Sequence, residues 1–339
     1  MINNIRGKLR WNCRLLIENC LKLNPCDHTI RCNEPMKEHT TFKVGGPADC
    51  WIQPYGDGFR SFCAALLKSA RNENIPVFIL GGGANIVVSD RGIRAIVMDM
   101  RAWKGRQNGD DDNKGGSNEK QELVFKSGTS IDDACETALA AGLSGLEFLA
   151  GMPGTIGGAV WMNARCYGSE IADVLSSAEC IAWNEEAGDY QIKRIYTNQI
   201  SGFAYKRSPF QEMDCVILSA SFNVKKGDTD KILSEMEKNR NDRKIKGHYL
   251  FPSAGSAFKN NREFGKPTGV IIDELGLKGL KFGGAQVAPF HGNIIINTGN
   301  AAASDIRSLT DEIIIKVNEK TGFRLEPEII FAGDWEKTD

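Results

Sequence analysis

The sequence has little histidine and lacks the short motifs of common metal sites. Its four histidines stand at positions 28, 39, 248 and 291 and cannot be grouped by spacing, and there is no His-Glu-x-x-His. Ten cysteines occur without a Cys-x-x-Cys pair. The intervals between Cys13, Cys20, Cys26 and Cys32 are too wide for a compact zinc site. The pattern disfavours a zinc hydrolase, predicts no metal and is typical of reduced, mostly buried thiols.

Long apolar runs and an excess of one charge are also missing. No stretch approaches the ~20 apolar residues that span a bilayer. Residues 1–24 place Leu9, Cys13, Leu16 and Ile17 at helical spacing between charged residues, which predicts an amphipathic helix and not a secretion signal. The 42 Lys and Arg nearly balance the 43 Asp and Glu, so no basic field favours nucleic acid. We expect a cytoplasmic protein without membrane insertion, whose anionic ligands are held by local clusters.

The usual nucleotide signatures, Gly-x-Gly-x-x-Gly and Gly-x-x-x-x-Gly-Lys-Ser/Thr, are absent. Among 36 glycines, two turns nevertheless have the character of phosphate sites. Residues 81–85 follow the short buried strand 77–80, so their amides could form an anion-binding nest. Residues 154–159 open an apolar, helical run whose early N–H groups would be free for a phosphate. Two such turns suit the two phosphates of a dinucleotide, or they are merely tight turns.

Periodicity predicts a mixed α and β protein. Helices are expected at residues 59–72, 130–141, 230–246, 269–275 and 304–320. Strands are expected at residues 43–53, 77–80, 93–98, 123–125, 178–183, 190–195, 215–224, 293–297 and 325–331. Residues 104–121 are polar and are expected to form a mobile insertion. The pattern changes near residue 225, which indicates a domain boundary.

The strip Ser253–Asn261 concentrates two hydroxyls, a glycine, a lysine and amides in nine residues, a composition suited to an anionic ligand and a proton donor. Three further segments occur in the same chain: His39–Gly46, Leu80–Asn85 and Gly145–Ala159. Together, in this order, they resemble the UDP-N-acetylenolpyruvoylglucosamine reductase family, flavoenzymes of peptidoglycan precursor synthesis. The resemblance runs from about residue 35 to about residue 331. It favours the shorter branch of the family, which lacks an extra substrate loop.

The resemblance implies an α+β fold. Its two-subdomain FAD-binding part is of the para-cresol methylhydroxylase and vanillyl-alcohol oxidase type, followed by a C-terminal α+β substrate-binding domain. The implied division is an N-terminal helical extension at 1–30, FAD-binding subdomain 1 at 31–100 joined by a terminal strand at 323–339, FAD-binding subdomain 2 at 101–226, and the substrate-binding domain at 227–322.

The implied cofactor is non-covalent FAD, with NADPH as co-substrate. No His or Cys lies in the 81–85 turn, as non-covalent binding requires. The implied FAD-binding residues are Thr41, Gly81, Gly82, Gly83, Ala84, Asn85, Gly151, Gly154, Gly157, Gly158 and Asn163.

The implied reaction reduces an enolpyruvyl ether to a lactyl ether, with hydride from flavin N5 and a proton from an enzyme acid. Ser256 matches the proton donor and Glu328 the family's carboxylate. The residues alone do not separate Ser256 from Ser253. Glu326 and Glu328, two apart, would face the same side of a strand, so periodicity does not separate them either.

The chain departs from the family where an arginine stabilises the enolate. The family has Tyr-Arg-x-Ser, and this chain has Tyr205-Lys206-Arg207-Ser208. Lysine keeps the charge and loses the planar two-point donor. If Tyr205 begins a strand, Lys206 and Arg207 point to opposite faces, unless a bulge intervenes. Lys206 is the first choice and Arg207 the alternative; the implied substrate contacts are Tyr205, Lys259, Asn260 and Gln286.

Two other functions remain open from the sequence. One is a flavin oxidase or dehydrogenase of another small molecule on the same fold. The other is a non-catalytic flavin- or UDP-sugar-binding paralogue, suggested by lysine at position 206 and opposed by the presence of Ser256 and Glu328. The sequence does not determine the oligomeric state or the role of residues 1–30.

Overall fold

The computed structural model describes residues 2–107 and 121–335. The helices are α1 Ile2–Leu23, α2 Phe59–Asn72, α3 Ile131–Ala140, α4 Ile156–Trp161, α5 Ile171–Val174, α6 Thr229–Ile245, α7 Thr268–Glu274 and α8 Ala303–Thr321. The strands are β1 Asp27–Pro35, β2 Pro47–Tyr55, β3 Val77–Leu80, β4 Ile86–Val88, β5 Ile93–Asp99, β6 Arg106–Gln107, β7 Gln121–Lys126, β8 Leu143–Ser144, β9 Arg165–Cys166, β10 Ser169–Glu170, β11 Leu175–Asn184, β12 Asp189–Tyr196, β13 Cys215–Lys226, β14 Lys281–Phe282, β15 Ala285–Val287, β16 Ile295–Asn297 and β17 Ile330–Ala332.

The chain divides into two compact units. The first comprises the described parts of Met1–Cys32, Cys50–Gly82 and Ala95–Asn241, and the second those of Asn33–Asp49, Gly83–Arg94 and Asp242–Asp339. The chain changes units five times, once within the glycine turn 81–83 and for the last time after Asn241. The four-part division implied by the resemblance stays a prediction.

The first unit contains an antiparallel sheet in the order β12-β11-β13-β7-β6, with β8 pairing with β13. Strands β3 and β5 pair in parallel, Val77 opposite Ile96, in a sheet of order β1-β2-β5-β3. Helix α2 buries the apolar stripe predicted from its spacing, including Phe62, Leu66 and Ala70. The hydrophobic core in which α2 packs also includes Ile17 of α1, which confirms the predicted amphipathic helix.

The second unit is built around α8 and two small sheets. Strands β14-β15-β16 form an antiparallel sheet, and β17 pairs with β4 in parallel. Helix α8 buries Ile306, Leu309 and Ile313 in this unit's core. It begins where Asp90 accepts the Ala303 and Ser304 N–H groups, each at 2.8 Å, and it ends at Gly322 with φ of 74°, as predicted for a glycine C-cap.

Several predicted boundaries are wrong for identifiable reasons. β2 begins at Pro47 because Lys43 and Gly45, with φ of 57° and 126°, cannot continue a strand. Within the predicted insertion, β6 at 106–107 pairs with β7, and residues 108–120 lie outside the described part of the chain. The terminal strand is shorter than predicted and begins at Ile330.

Six of the ten cysteines are buried, three are half-buried and Cys32 is exposed, so the prediction of mostly buried thiols is confirmed. In the described part of the chain, no grouping of His, Cys, Asp and Glu side chains could hold a metal ion. None of the helices in residues 2–107 and 121–335 combines the length and apolarity that crossing a membrane requires.

Candidate active site

The two glycine turns predicted from the sequence meet within the first unit. A Cβ atom placed on Gly82 would lie 2.6 Å from the Gly154 Cα, and one on Gly81 would lie 2.7 Å from the Thr155 Oγ1. No real Cβ tolerates such distances from backbone, so glycine at position 82 permits the approach. The turns therefore form one continuous glycine-lined surface. This is the arrangement expected if both serve a single pyrophosphate.

The N–H groups that open α4 are less available than the sequence suggested. Ile156 donates its N–H to the Thr129 carbonyl at 2.9 Å, and Gly157 donates to the Ser127 carbonyl at 2.8 Å. The prediction that the early N–H groups are free is wrong for Ile156 and Gly157, because the loop after β7 supplies carbonyl acceptors. Phosphate donors at this turn must therefore be groups other than these two N–H groups.

Two hydroxyls beside the glycines are candidates for that role. Thr155 and Ser127 are 4% and 2% exposed. Among the described residues, neither Thr155 Oγ1 nor Ser127 Oγ has a hydrogen-bond partner. Buried hydroxyls are normally satisfied, so an unsatisfied one at a suspected ligand site indicates a missing partner. Thr155 Oγ1 also faces the position that a Gly81 Cβ would take.

Gly151 and Asn163 make hydrogen bonds inside the protein. The Gly151 N–H donates to Asp132 Oδ1 at 3.0 Å. Asn163 is fully buried; its Nδ2 donates to the Ala204 carbonyl at 3.0 Å, and its Oδ1 accepts the Ala172 N–H at 3.0 Å. These contacts fix the backbone around the turns, and direct contact of either residue with a cofactor stays a prediction.

The rest of the first glycine turn belongs to the second unit. There the Gly83 carbonyl accepts the Thr41 N–H at 3.1 Å and its hydroxyl at 3.4 Å. Asn85 Nδ2 donates to the Glu328 carbonyl at 3.1 Å, and the Ile330 N–H donates back to the Asn85 carbonyl at 3.0 Å. Half-buried Ala84 lies between these contacts. The turn is thereby tied to the segment that carries the candidate carboxylate.

The Ser256 strip and the Glu328 segment run side by side in the second unit. The Glu328 N–H donates to the Ala257 carbonyl at 2.8 Å, and the Lys259 N–H donates to the Glu326 carbonyl at 2.9 Å. Ser256 is held on its other side by a bridge to Ile294. Because buried Ala257 and Phe258 anchor this ladder, Ser256 and Glu328 occupy fixed neighbouring positions.

Glu326 and Glu328 differ in their surroundings. Glu326 is exposed and forms an ion pair with Lys259, whereas Glu328 is half-buried. The premise that both face the same side of a regular strand is wrong, since residues 325–329 precede β17. The difference in burial favours Glu328 as the site residue, in line with the resemblance.

The remaining substrate candidates of this unit are also engaged in local contacts. Asn260 is exposed and its Oδ1 accepts the Thr268 N–H at 2.9 Å, next to the start of α7. Gln286, on β15, donates from Nε2 to the Gly279 carbonyl at 3.2 Å. The Gln286 amide oxygen stays available as an acceptor for a ligand.

Tyr205 and Lys206 lie at the tip of a tight turn and not on a strand. Ala204 and Arg207 exchange two backbone hydrogen bonds of 3.0 Å each, and Lys206 has φ of 58°. Tyr205 and Lys206 are half-buried, while exposed Arg207 pairs with Glu212. The premise of a strand is wrong because a two-residue turn closes here, so the argument from opposite strand faces does not apply. Arg207 is directed to a surface partner.

A charged side chain that the sequence did not indicate lies beside this turn. The Arg165 Cζ lies 5.8 Å from the centre of the Tyr205 ring. The two residues are 40 positions apart, and no periodic pattern joins them. One local pattern could have indicated it. Tyr167-Gly168 between two short extended segments is typical of a hairpin turn, which would place Arg165 on a short strand.

Known proteins provide an independent comparison. Residues 247–332 match the family described as UDP-N-acetylenolpyruvoylglucosamine reductase, C-terminal domain, and residues 62–187 match the family described as FAD binding domain. The reductase of that name from Treponema denticola is 41% identical over 319 residues, covering 91% of this chain and 94% of the relative. The chain belongs to the UDP-N-acetylenolpyruvoylglucosamine reductase family.

Other members agree with this assignment. The Borreliella burgdorferi reductase is 41% identical over 88% of this chain and 93% of its own length. The crystal structure of the Thermus caldophilus reductase superposes with a TM-score of 0.67 at 31% identity, covering 90% of this chain and 99% of that one. The predicted architecture is confirmed: an α+β protein with an FAD-binding fold of the para-cresol methylhydroxylase type and the reductase family's C-terminal domain.

The residues present fit FAD, the cofactor of this family's FAD-binding domain. The fit rests on the two glycine turns in contact and on the unsatisfied hydroxyl of Thr155 beside them. Close backbone approach plus a buried neutral donor suits a pyrophosphate. The chain is an FAD-dependent oxidoreductase of this family.

Proposed function

We propose that this protein reduces UDP-N-acetylglucosamine enolpyruvate to UDP-N-acetylmuramate at the expense of NADPH, in the cytoplasm, as a step of peptidoglycan precursor synthesis. The observation that chiefly supports the proposal is the ladder in the second unit, where the Ser256 strip is hydrogen-bonded to the Glu328 segment. A weak acid and a carboxylate at fixed neighbouring positions suit protonation of a strongly basic centre. The names of the relatives supply the substrate.

The chemistry makes definite demands on the side chains. Bound FAD would take hydride from NADPH and deliver it to the terminal alkene carbon of the enolpyruvyl ether. The other alkene carbon then carries negative charge, which is delocalised into the attached carboxylate as an enolate. The protein must stabilise that charge with preorganised donors and must protonate the carbon.

Three residues are proposed for these tasks. Ser256 gives its hydroxyl proton to the enolate carbon, which is basic enough to accept it from a weak acid. Lys206, held at the tip of its turn with φ of 58°, places a positive charge toward the enolate. Glu328 is the carboxylate that accompanies the proton transfer, and its backbone is fixed by Ala257 and Asn85.

Tyr205, Lys259, Asn260 and Gln286 are proposed to contact the substrate. Lys259 already pairs with Glu326 on the surface of the second unit. A lysine ammonium has three donors, so one carboxylate partner leaves donors for a phosphate or a hydroxyl of the ligand. Lys259 would thus bind substrate without giving up its present partner.

The decisive experiment is an NADPH-oxidation assay with purified, FAD-loaded protein. We expect consumption that depends on UDP-N-acetylglucosamine enolpyruvate, with one lactyl ether formed for each NADPH. The matched control uses UDP-N-acetylglucosamine, which lacks the double bond and should not support turnover. Consumption that depends on oxygen and not on the enolpyruvyl sugar would replace the proposal with a flavin oxidase. Flavin binding without any turnover would indicate a non-catalytic paralogue.

A further inference from the structure

Arg165 stands on a short hairpin whose geometry fixes its position. β9 and β10 pair with Arg165 opposite Glu170. The connecting residues Tyr167 and Gly168 have φ of 50° and 87°, the combination of a two-residue hairpin turn with both central residues left-handed. The Tyr167 hydroxyl donates to the Asn239 carbonyl at 2.9 Å, which fastens the tip to α6. Arg165 therefore lies on a closed hairpin whose tip is fixed to α6.

The turn carrying Tyr205 and Lys206 is bound to the segment that precedes this hairpin. Asn163 donates to the Ala204 carbonyl at 3.0 Å. The Ser208 hydroxyl donates to the Trp161 carbonyl at 2.7 Å. These two bonds flank the turn on both sides, so the backbone two residues before Arg165 is held against it. All of these residues lie in the first unit.

Most N–H donors of the Arg165 guanidinium make no hydrogen bond to the described residues. Its Nη1 lies 3.4 Å from Glu170 Oε2, with the side chain 33% exposed, and its Cζ lies 5.8 Å from the Tyr205 ring centre. Among the described residues, the bond to Glu170 is its one hydrogen bond. A guanidinium has five N–H donors arranged as a planar fork, so at least one complete edge remains for an anion.

We propose that Arg165 binds the carboxylate of the enolpyruvyl group, while neighbouring Lys206 faces the enolate. This assignment rests on the proposed function. After hydride transfer the reacting group carries two negative charges spread over the enolate carbon and its carboxylate, and a lysine provides a point charge that cannot bind a carboxylate through two parallel hydrogen bonds. Arg165 supplies that fork beside the same turn.

The proposal is tested by equilibrium binding to the FAD-loaded enzyme, measured by calorimetry and therefore independent of turnover. The ligands are UDP-N-acetylglucosamine enolpyruvate and UDP-N-acetylglucosamine, which lacks the carboxylate. We expect Arg165→Gln to weaken binding of the enolpyruvyl sugar by about 10- to 100-fold, the range for hydrogen bonds between charged groups. Binding of UDP-N-acetylglucosamine should be unchanged. Arg165→Lys should show a smaller but selective loss, because the charge remains and the fork is removed.

Arg207→Gln is the matched control, since Arg207 lies in the adjacent turn and pairs with Glu212 on the surface. It should bind both ligands like the parent protein. Arg165→Gln that behaves like this control would overturn the assignment, as would an equal loss for both ligands. Flavin content and thermal unfolding check the fold, and Arg165→Lys decides the question if Arg165→Gln does not fold. If the parent binds the enolpyruvyl sugar but does not oxidise NADPH with it, the proposed function fails while the binding comparison still decides the role of Arg165.

Discussion

Replacing Ser256 should affect the two half-reactions of the proposed reaction differently. In the proposed reaction its hydroxyl acts after hydride transfer, so Ser256→Ala should leave the NADPH-dependent bleaching of the flavin nearly unchanged. Reoxidation by the enolpyruvyl sugar should slow by about 10²- to 10⁴-fold, the usual contribution of a positioned acid. Stopped-flow absorbance measures both steps.

Ser253 provides the control for this experiment. It is also half-buried, lies three residues earlier in the same strip, and precedes the ladder with the Glu328 segment. Ser253→Ala should affect neither step. Equal slowing of both half-reactions by Ser256→Ala would instead indicate a structural role for Ser256.

Lys206 and Arg207 are adjacent in sequence but differ in surroundings. Lys206→Ala should slow the oxidative half-reaction by about 10²-fold or more, the typical loss on removing one preorganised charge-stabilising group. Lys206→Arg should keep most activity, because the charge is retained. Arg207→Ala should cost little, since Arg207 pairs with exposed Glu212. Single-turnover kinetics of the three variants give the ranking, and an indispensable Arg207 would contradict it.

At the scale of elements, the two glycines of α4 should matter for different reasons. Gly157 should be needed for packing, and Gly158 for FAD binding. A Cβ on Gly157 would lie 2.7 Å from the Ser127 Cβ, whereas one on Gly158 would meet, among the described residues, only Thr155 Oγ1 at an ordinary 3.5 Å. Gly157→Ala should therefore lower the stability of the apoprotein. Gly158→Ala should keep the apoprotein stable and weaken FAD binding, if the cofactor lies close to this backbone.

Thermal unfolding of the apoproteins and flavin titration distinguish the two effects. Gly158→Ala with normal FAD affinity would remove Gly158 from the cofactor site. A stable Gly157→Ala apoprotein would mean that β7 and α4 can separate without cost.

Elements specified by apolar spacing or turn residues along the chain were predictable. Elements that depend on hydrogen bonds between distant segments were not. Helix α2 and strands β11–β13 lie close to their predicted positions, because apolar spacing and turn residues specify them locally. The turn at Tyr205 and Lys206 escaped prediction because its sequence contains no glycine or proline. The Ala204 and Arg207 backbone groups close it, and bonds from Asn163 to Ala204 and from Ser208 to Trp161 hold it against a segment distant in sequence.

At the scale of the whole molecule, FAD should act as a stabilising ligand. We expect about one FAD per chain, since two glycine turns in contact serve one pyrophosphate. Removing it should lower the melting temperature, and adding it back at about 100 times its dissociation constant should restore about 2.7 kcal/mol of stability. Differential scanning calorimetry at several FAD concentrations measures this, and a melting temperature independent of FAD would contradict the cofactor assignment.

Acid sensitivity of the fold should depend partly on His248. Burial lowers the pKa of His248 to about 4 from 6.5, with Arg243, His291 and Lys246 acting in the same direction and Asp242 opposing them. The pKa of His291 is also lowered, chiefly by burial. Below pH 6.5 the unfolded chain binds protons that the folded chain does not, so stability falls as the pH decreases toward 4.

Replacing His248 by a neutral side chain should remove part of that loss. Urea unfolding of His248→Gln at about pH 7.5 and about pH 5 should show a smaller decrease between the two than the parent protein shows. His28→Gln changes an exposed histidine and serves as the control. An identical decrease in the parent and in His248→Gln would show that this ring does not contribute.

The sequence by itself determined the family and the cofactor, because short motifs carry them directly, and it predicted Ser256 and Glu328 as the reacting groups. It also determined most helices and long strands, because burial of one face imposes a local period. Only the tertiary structure decided that the two glycine turns touch, that Glu326 is exposed while Glu328 is half-buried, and that Arg165 lies beside Tyr205. Each of these depends on which distant segments hydrogen-bond and pack together, and spacing along one chain does not contain that information.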